Sequence, residues 1–344
     1  MFIESVEISG FRNFEKKTLF EFTNNWNILF GPNGSGKTSV LEAIYILGFG
    51  RSFLNVKKEE LLNNNSKEFF IRSSVIRSEF KYGISASLNK NFSLFLDGEK
   101  TSISRIGENL FPLFFSSSDY VSLISSRSGL RKLFDKLIFG IFNLYSKELI
   151  EYKKIIQNKT FLLKHNPDRP QLNGWNKLLA EYILKITRRR FDFIDNLNKF
   201  IQEKYSSGIE VRYSPSSPEF KNYNDFDKEN ILSVLEKIIK KEILLKKPVV
   251  GSHLDKYEVF LDNRPLRLYS SGEKKINLFF IYMSYLDLFI SSRGDYPLFL
   301  IDDYDIAMDE KNIAILMSKY PSMQIIATSV RNNKNFDNII KLMF

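Results

Sequence analysis

The chain has 344 residues, 43% of them hydrophobic, and a formal net charge of +10. It has no cysteine, which excludes disulfides, thiolate metal sites and cysteine nucleophiles, and its only histidines, His165 and His253, argue against a histidine metal centre. The length allows two domains or one domain with an insertion, and the positive excess favours anionic partners, nucleic acid foremost.

In chain order, Phe2–Ser9 alternates like a strand, and residues 17–22 form another. Trp26–Phe30 reads as a buried strand that enters the segment Gly31-Pro32-Asn33-Gly34-Ser35-Gly36-Lys37-Thr38. Residues 39–47 read as the helix that leaves it. Phe69–Arg77, residues 82–88 and residues 92–97 form an antiparallel meander, with Asn89-Lys90-Asn91 and Asp97-Gly98 as turns. From about residue 127 to 204 glycine nearly vanishes and apolar residues recur at helical spacing, broken at His165-Asn166-Pro167-Asp168-Arg169-Pro170. A second long helix is expected over residues 175–205. Residues 208–213 read as a strand, 214–218 as a Pro/Ser-rich turn and 226–245 as a helix with a basic end. Strand character returns at residues 257–262, before the turn Asn263-Arg264-Pro265. The apolar helix 276–290 and the strands 296–303 and 324–329 follow.

This order predicts an α/β head made of residues 1–115 and 246–344, with a mainly helical lobe, residues 116–245, inserted between them. The insert holds 23 Lys/Arg against 16 Asp/Glu, seven of the ten excess charges. No apolar run reaches the length of a membrane span, and Met1-Phe2-Ile3-Glu4-Ser5-Val6 lacks the basic-then-apolar order of a signal peptide. A cytoplasmic protein with no membrane partner is therefore expected.

Residues 31–38 match the phosphate-binding pattern G-x-x-x-x-G-K-[ST] in full. Successive backbone N–H groups must turn inward around phosphate oxygens, and glycines permit those conformations. Gly31, Asn33, Gly34, Ser35, Gly36, Lys37, Thr38 and Ser39 are the expected ATP-binding residues. Lys37 serves the β- and γ-phosphates, and the Thr38 hydroxyl serves Mg²⁺. The helix N-terminus adds a favourable dipole. Near the other end, Tyr296-Pro297-Leu298-Phe299-Leu300-Ile301-Asp302-Asp303 is an apolar strand ending in two carboxylates. Asp302 is placed to ligate Mg²⁺, and Asp303 to orient or deprotonate the attacking water, with Lys37 as its catalytic companion. Thr328 and Ser329, at the end of the last strand, are polar residues that this strand could bring near the γ-phosphate.

Tyr269-Ser270-Ser271-Gly272-Glu273-Lys274-Lys275, ahead of an apolar helix and some thirty residues before the acidic pair, resembles the signature motif of ABC-type ATPases. In that class the signature belongs to a second subunit. The resemblance implies that Ser270 and Gly272 act in trans on ATP held by a partner copy; a simple helix cap is the plainer reading of the same residues.

The whole chain resembles the RecF family of DNA replication and repair ATPases. The resemblance rests on Ile8-Ser9-Gly10-Phe11-Arg12-Asn13-Phe14, residues 41–47 with Gly50-Arg51-Ser52-Phe53, residues 131–135, residues 145–164, and Gly251-Ser252-His253-Leu254-Asp255. Glu273-Lys274-Lys275 departs from the family's signature ending, as do Ser252 and Leu254 from its G-P-H-R-D-D segment; Asp309 still matches the D-loop acid. The resemblance implies an ABC-type head, with a mixed sheet and an antiparallel meander, that dimerises on ATP, clamps single-stranded or gapped DNA and hydrolyses ATP slowly. It also implies RecR/RecO-like mediators and RecA as partners. Arg188-Arg189-Arg190, Lys240-Lys241 and Lys246-Lys247 are candidate DNA patches, with solvated helix faces as the alternative. Other readings are a transporter subunit, a chromosome-maintenance-like or overcoming-lysogenization-like ATPase, and an ATP-binding module without turnover. The many phenylalanines, and His253, read either as core or as ligand contacts.

Overall fold

The computed structural model describes all residues except 55, 117–125, 166, 206–207, 218, 220–226, 332–335, 337 and 343–344. Asn166, Pro218 and Phe226, which the sequence assigned to a break, a turn and a helix start, lie outside the described residues.

The strands are β1 (Phe2–Ser9), β2 (Thr18–Glu21), β3 (Trp26–Phe30), β4 (Phe69–Arg77), β5 (Phe80–Leu88), β6 (Phe92–Leu96), β7 (Glu99–Lys100), β8 (Pro112–Ser116), β9 (Ile209–Ser214), β10 (Lys256–Leu261), β11 (Arg264–Pro265), β12 (Leu298–Asp302), β13 (Ile325–Ser329) and β14 (Asn338–Lys341). The α-helices are α1 (Lys37–Phe49), α2 (Ile103–Asn109), α3 (Arg127–Ile141), α4 (Tyr145–His165), α5 (Arg169–Tyr205), α6 (Lys228–Leu245), α7 (Ser271–Arg293), α8 (Tyr304–Ala307) and α9 (Glu310–Lys319).

The chain divides into two compact units, Met1–Tyr120 with Phe289–Phe344, and Val121–Leu288. The first boundary falls within a few residues of the one expected at 116. The second lies some forty residues beyond the one expected at 246. The reason is pairing: β10 lies between β9 and β11 in a three-stranded antiparallel sheet, so residues 256–265 belong with the inserted segment.

In the first unit, parallel and antiparallel strands separate into two sheets. One is antiparallel, in the order β2-β1-β4-β5-β6-β7. The other is wholly parallel, in the order β14-β3-β13-β12-β8. Parallel strands covered on both faces read as unbroken apolar runs, as in Leu298-Phe299-Leu300-Ile301, all fully buried. Helix α1 packs on strands of both sheets. Burial on every side explains why its sequence from Val40 on is apolar all round but for Glu42, which is paired with Arg12, with only Thr38 and Ser39 partly open. Gln324 ties the sheets together: its amide donates to the carbonyls of Ile3 and Thr23, 2.7 Å each, and accepts from Ile3 N–H at 2.7 Å.

The second unit is built on α3 to α6 and the small sheet. Helix α5 begins at Arg169, earlier than expected. Asp168 supplies a carboxylate to Gln171 N–H at 3.1 Å, and Pro170 is tolerated in a first turn. On α4, Tyr145, Tyr152, Ile155, Lys159 and Leu163 form the buried stripe. Lys159 is admitted because its ammonium meets Glu242 at 2.7 Å, both side chains fully buried.

Candidate phosphate-binding site

The loop after β3 takes the form that phosphate cradling requires. Gly34 (φ 83°) and Gly36 (φ 87°) are left-handed, a conformation that a side chain disfavours. At Gly31 a Cβ would lie 2.5 Å from the Leu342 carbonyl oxygen and 2.7 Å from Ser35 Oγ. The Ser35 hydroxyl is buried with no hydrogen-bond partner among the described residues. The Lys37 ammonium donates to the carbonyls of Gly31 and Pro32, 2.8 Å each, so its charge folds back over the loop. Gly36 occupies the N-cap of α1, where the free N–H groups and the positive end of the helix dipole point into the loop.

Strand order assembles the rest. β13 lies between β3 and β12, so all three C-terminal ends open at one edge. Thr38 Oγ1 donates to the Asp302 carboxylate, 3.0 and 3.2 Å from its two oxygens. Thr328 Oγ1 donates to Asp302 Oδ1 at 2.7 Å and accepts from Asp303 N–H at 2.7 Å. Burial raises the Asp302 pKa; the bonds from Thr328 and Thr38 and the charge of Lys37 oppose that rise, and the charge of Asp303 adds to it. Asp303 holds a left-handed backbone (φ 48°) at the start of α8, and its carboxylate bonds to no described residue. The oxygen donors of Thr38 and Asp302 suit a hard cation that keeps water and substrate oxygens as its other ligands.

Lys37, Thr38, Asp302 and Asp303 thus meet as expected. The place of Thr328 was not foreseen in this form: its hydroxyl is spent on the acidic pair. Ser329, also buried, accepts from Arg331 N–H at 2.9 Å and donates to Arg331 O at 2.8 Å. Asn13 was missed as a loop residue. Its amide donates to the Gly34 carbonyl at 2.8 Å, and its oxygen lies 3.4 Å from Ser39 Oγ. Arg12 beside it (φ 50°) grips Glu42 of α1 with two bonds, 2.8 and 2.9 Å. The only signal was a polar pair set between two aromatics, Phe11 and Phe14.

Ser270 and Gly272 lie in the second unit, both exposed, at the start of α7. Ser270 forms a capping box with Glu273: Glu273 N–H lies 3.3 Å from Ser270 Oγ, and the Glu273 carboxylate accepts from Ser270 N–H at 3.0 Å and from its hydroxyl at 2.6 Å. Those bonds hold the Glu273 carboxyl below its usual pKa. The residue that departs from the family ending therefore anchors the helix start. Asp309 likewise caps α9, accepting from Asn312 N–H at 2.8 Å.

The basic clusters divide. Arg188-Arg189-Arg190 is not a surface patch. Arg190 is 1% exposed and bonded to Asp255 (2.7 Å), Asp135 (2.9 Å), the Tyr145 hydroxyl (2.9 Å) and the Ser252 carbonyl (2.8 Å). Arg189 is held bidentately by Glu148 at 2.6 and 2.7 Å, leaving Arg188 as the exposed member. Three stretches that carried the family resemblance, residues 131–135, 145–164 and 251–255, converge on this one buried arginine. Lys240, Lys241, Lys246 and Lys247 are exposed and make no ion pair with any described residue. Many phenylalanines are core, as at Phe11, Phe69, Phe134 and Phe299; His253 bonds Tyr152 within the second unit.

A parallel sheet that delivers a glycine-rich loop and an acid-ended strand to one edge, with an antiparallel sheet beside it and a helical insertion, defines the head of an ABC-type ATPase. The chain belongs to the RecF/RecN/SMC N terminal domain family, which matches residues 2–343. It is 28% identical over 337 residues to the DNA replication and repair protein RecF of Clostridium botulinum (strain ATCC 19397 / Type A), covering 95% of this chain and 92% of that one. It is 26% identical over 339 residues, with the same coverage, to RecF of Clostridium perfringens (strain SM101 / Type A). Among solved structures it is similar to the recombination mediator protein RecF-ATPrS of the RecFOR pathway, with TM-score 0.88, 24% identity and 99% and 96% of the two chains covered. The SMC head bound to the C-winged helix domain of ScpA gives TM-score 0.52 at 16% identity, covering 96% and 90%. Among the described residues no helix is long and apolar enough to cross a membrane.

Proposed function

We propose that this chain is an ATP-dependent DNA-binding protein of replication and recombinational repair, in which ATP binding closes a dimer on DNA and slow hydrolysis reopens it. One observation carries the nucleotide part: the loop lysine, Thr38 and the paired acids Asp302 and Asp303 meet at one sheet edge, braced by Thr328.

The residues fit ATP and Mg²⁺. Gly31, Asn33, Gly34, Ser35 and Gly36 offer backbone N–H groups, and Ser35 an unspent hydroxyl. With ATP bound, Lys37 would exchange its carbonyl partners for phosphate oxygens. Thr38 and Asp302 would hold Mg²⁺, whose chemistry would be to neutralise charge on the phosphates. Asp303, unbonded and fixed by its own N–H, orients water for attack. Ser270 and Gly272 serve the partner copy's nucleotide, because both are exposed at a helix N-terminus.

DNA contact runs through phosphates. The net charge and the exposed Lys240, Lys241, Lys246 and Lys247 support it. The names of the RecF relatives, a DNA replication and repair protein and a recombination mediator of the RecFOR pathway, support a role in replication and repair; RecO-, RecR- and RecA-type partners and a cytoplasmic setting rest on the family resemblance. A turnover assay tests the enzyme reading. Asp303→Asn should bind ATP within a few-fold of wild type yet lose hydrolysis by at least about 100-fold; equal turnover in both would leave an ATP-binding module without catalysis.

A further inference from the structure

The second unit carries a cleft of about 330 Å³ that the nucleotide reading does not use. Arg131 of α3, Lys153 of α4 and His253 of the loop before β10 line it from three separate elements, with Leu149 and Ile156 as apolar wall. Its cations outnumber its carboxylates. Arg190 is neutralised by Asp135 and Asp255, but among the described residues Arg131 bonds only a carbonyl, that of Asp255 at 3.1 Å. Lys153 is exposed and pairs with no described residue. Tyr152 is hydrogen-bonded to the His253 ring. Its oxygen accepts from the His253 backbone N–H at 3.2 Å and lies 2.6 Å from the ring Nδ1; in the tautomer in which Tyr152 donates to Nδ1, Nε2 carries the ring proton and faces the cleft as a donor. Ser252, on the same wall and 1% exposed, has a hydroxyl with no hydrogen-bond partner.

We propose that this cleft is a phosphate-binding site, formed by Arg131, Lys153, His253 and Ser252. Donors arriving from three directions suit a tetrahedral oxyanion better than a planar carboxylate, and the apolar wall strengthens charge-assisted bonds by excluding water. The cleft is larger than phosphate itself, so the group has a substituent: it is either a backbone phosphate of DNA or a free phosphomonoester. The His253 ring supports a positive field there, since burial and then Arg131, Lys159 and Arg190 hold its pKa down at about 4. Where the phosphate belongs to DNA, the site deepens the DNA reading above; where it is free, the site stands without that reading.

The test is hydrogen exchange of the full chain in inorganic phosphate against chloride at equal ionic strength, in wild type and Lys153→Glu. Lys153 is exposed and bonds no described residue, so the variant should keep its structure, which an unchanged melt verifies. Phosphate should slow exchange across residues 249–256 in wild type and not in the variant, while ATP protects residues 31–38 in both. A single-stranded oligonucleotide, followed by anisotropy, separates the sources. A roughly tenfold loss of affinity in Lys153→Glu, with a salt slope lower by about one, assigns a DNA phosphate. Unchanged DNA affinity with lost phosphate protection assigns a free phosphomonoester. No phosphate protection at 249–256 in wild type, or protection that survives Lys153→Glu, overturns the proposal. Loss of ATP protection at 31–38 would count against the nucleotide reading alone.

Discussion

The Thr328 hydroxyl stands 2.7 Å from Asp302 Oδ1 and 2.7 Å from the backbone nitrogen of Asp303, donating to the first and accepting from the second. One side chain on the strand between the loop strand and the acidic strand thereby sets the positions of both acids. It also opposes the burial that raises the Asp302 pKa, keeping the carboxylate available to a cation.

Thr328→Val retains shape and removes both bonds. A hydrogen bond to a buried charged group is worth about 1.5–3 kcal/mol. If that support acts on turnover, ATP hydrolysis should fall roughly 10- to 100-fold while nucleotide affinity changes little. Steady-state hydrolysis and equilibrium nucleotide binding, measured side by side, check this; unchanged turnover would contradict the role given to Thr328.

Arg190→Met should be severely destabilising. It strands Asp135 and Asp255 without their cation, and breaking a buried pair costs about 3–5 kcal/mol. Arg190→Lys should recover only part of this, because an ammonium cannot reproduce the fork that meets Asp135, Asp255 and Ser252 together. Urea denaturation of the three proteins measures it. A loss below about 1 kcal/mol for Arg190→Met would show that the network is solvated rather than buried.

These two residues mark where the sequence was legible and where it was not. Trp26–Phe30, the loop at 31–38 and Leu298–Asp302 are spelled locally, by an apolar run followed by glycines or acids, so they were readable without neighbours. The role of Thr328 depends on strand order, which places β13 between β3 and β12, and no local pattern encodes that order. Arg188-Arg189-Arg190 looked like a surface patch because its charge is local, whereas the acids that bury Arg190 lie at positions 135 and 255. Strand Pro112–Ser116 escaped notice because five residues buried on both faces have no period of their own, and β14 for the same shortness. The second division, expected at 246, falls at Leu288, and the pairing of β10 with β9 carries residues 256–261 into the second unit.

His253 gives the second unit an acid-sensitive element. Its pKa falls from an ordinary 6.5 to about 4, through burial first and then Arg131, Lys159 and Arg190. A base with a depressed folded pKa binds fewer protons folded than unfolded, so its contribution is present above pH 6.5 and is lost as pH falls toward 4. The shift corresponds to roughly 3 kcal/mol across that window. The Asp255 pKa is raised, which acts with the opposite sign, so the comparison must be with His253→Gln. The stability difference between wild type and this variant should shift in favour of the variant by that order between pH 6.5 and pH 4. A constant difference would mean that His253 titrates normally.

The central claim is that nucleotide at the loop governs DNA binding through a second copy of the chain. Anisotropy of labelled single-stranded and gapped DNA, with and without ATP–Mg²⁺ and across a salt series, tests it most directly in wild type, Lys37→Ala and Ser270→Arg. ATP should tighten wild-type binding in a strongly salt-dependent way. Both variants should lose that tightening, Lys37→Ala because it no longer holds ATP and Ser270→Arg although it still does. DNA binding indifferent to ATP, or retained ATP dependence in Lys37→Ala, would contradict the account.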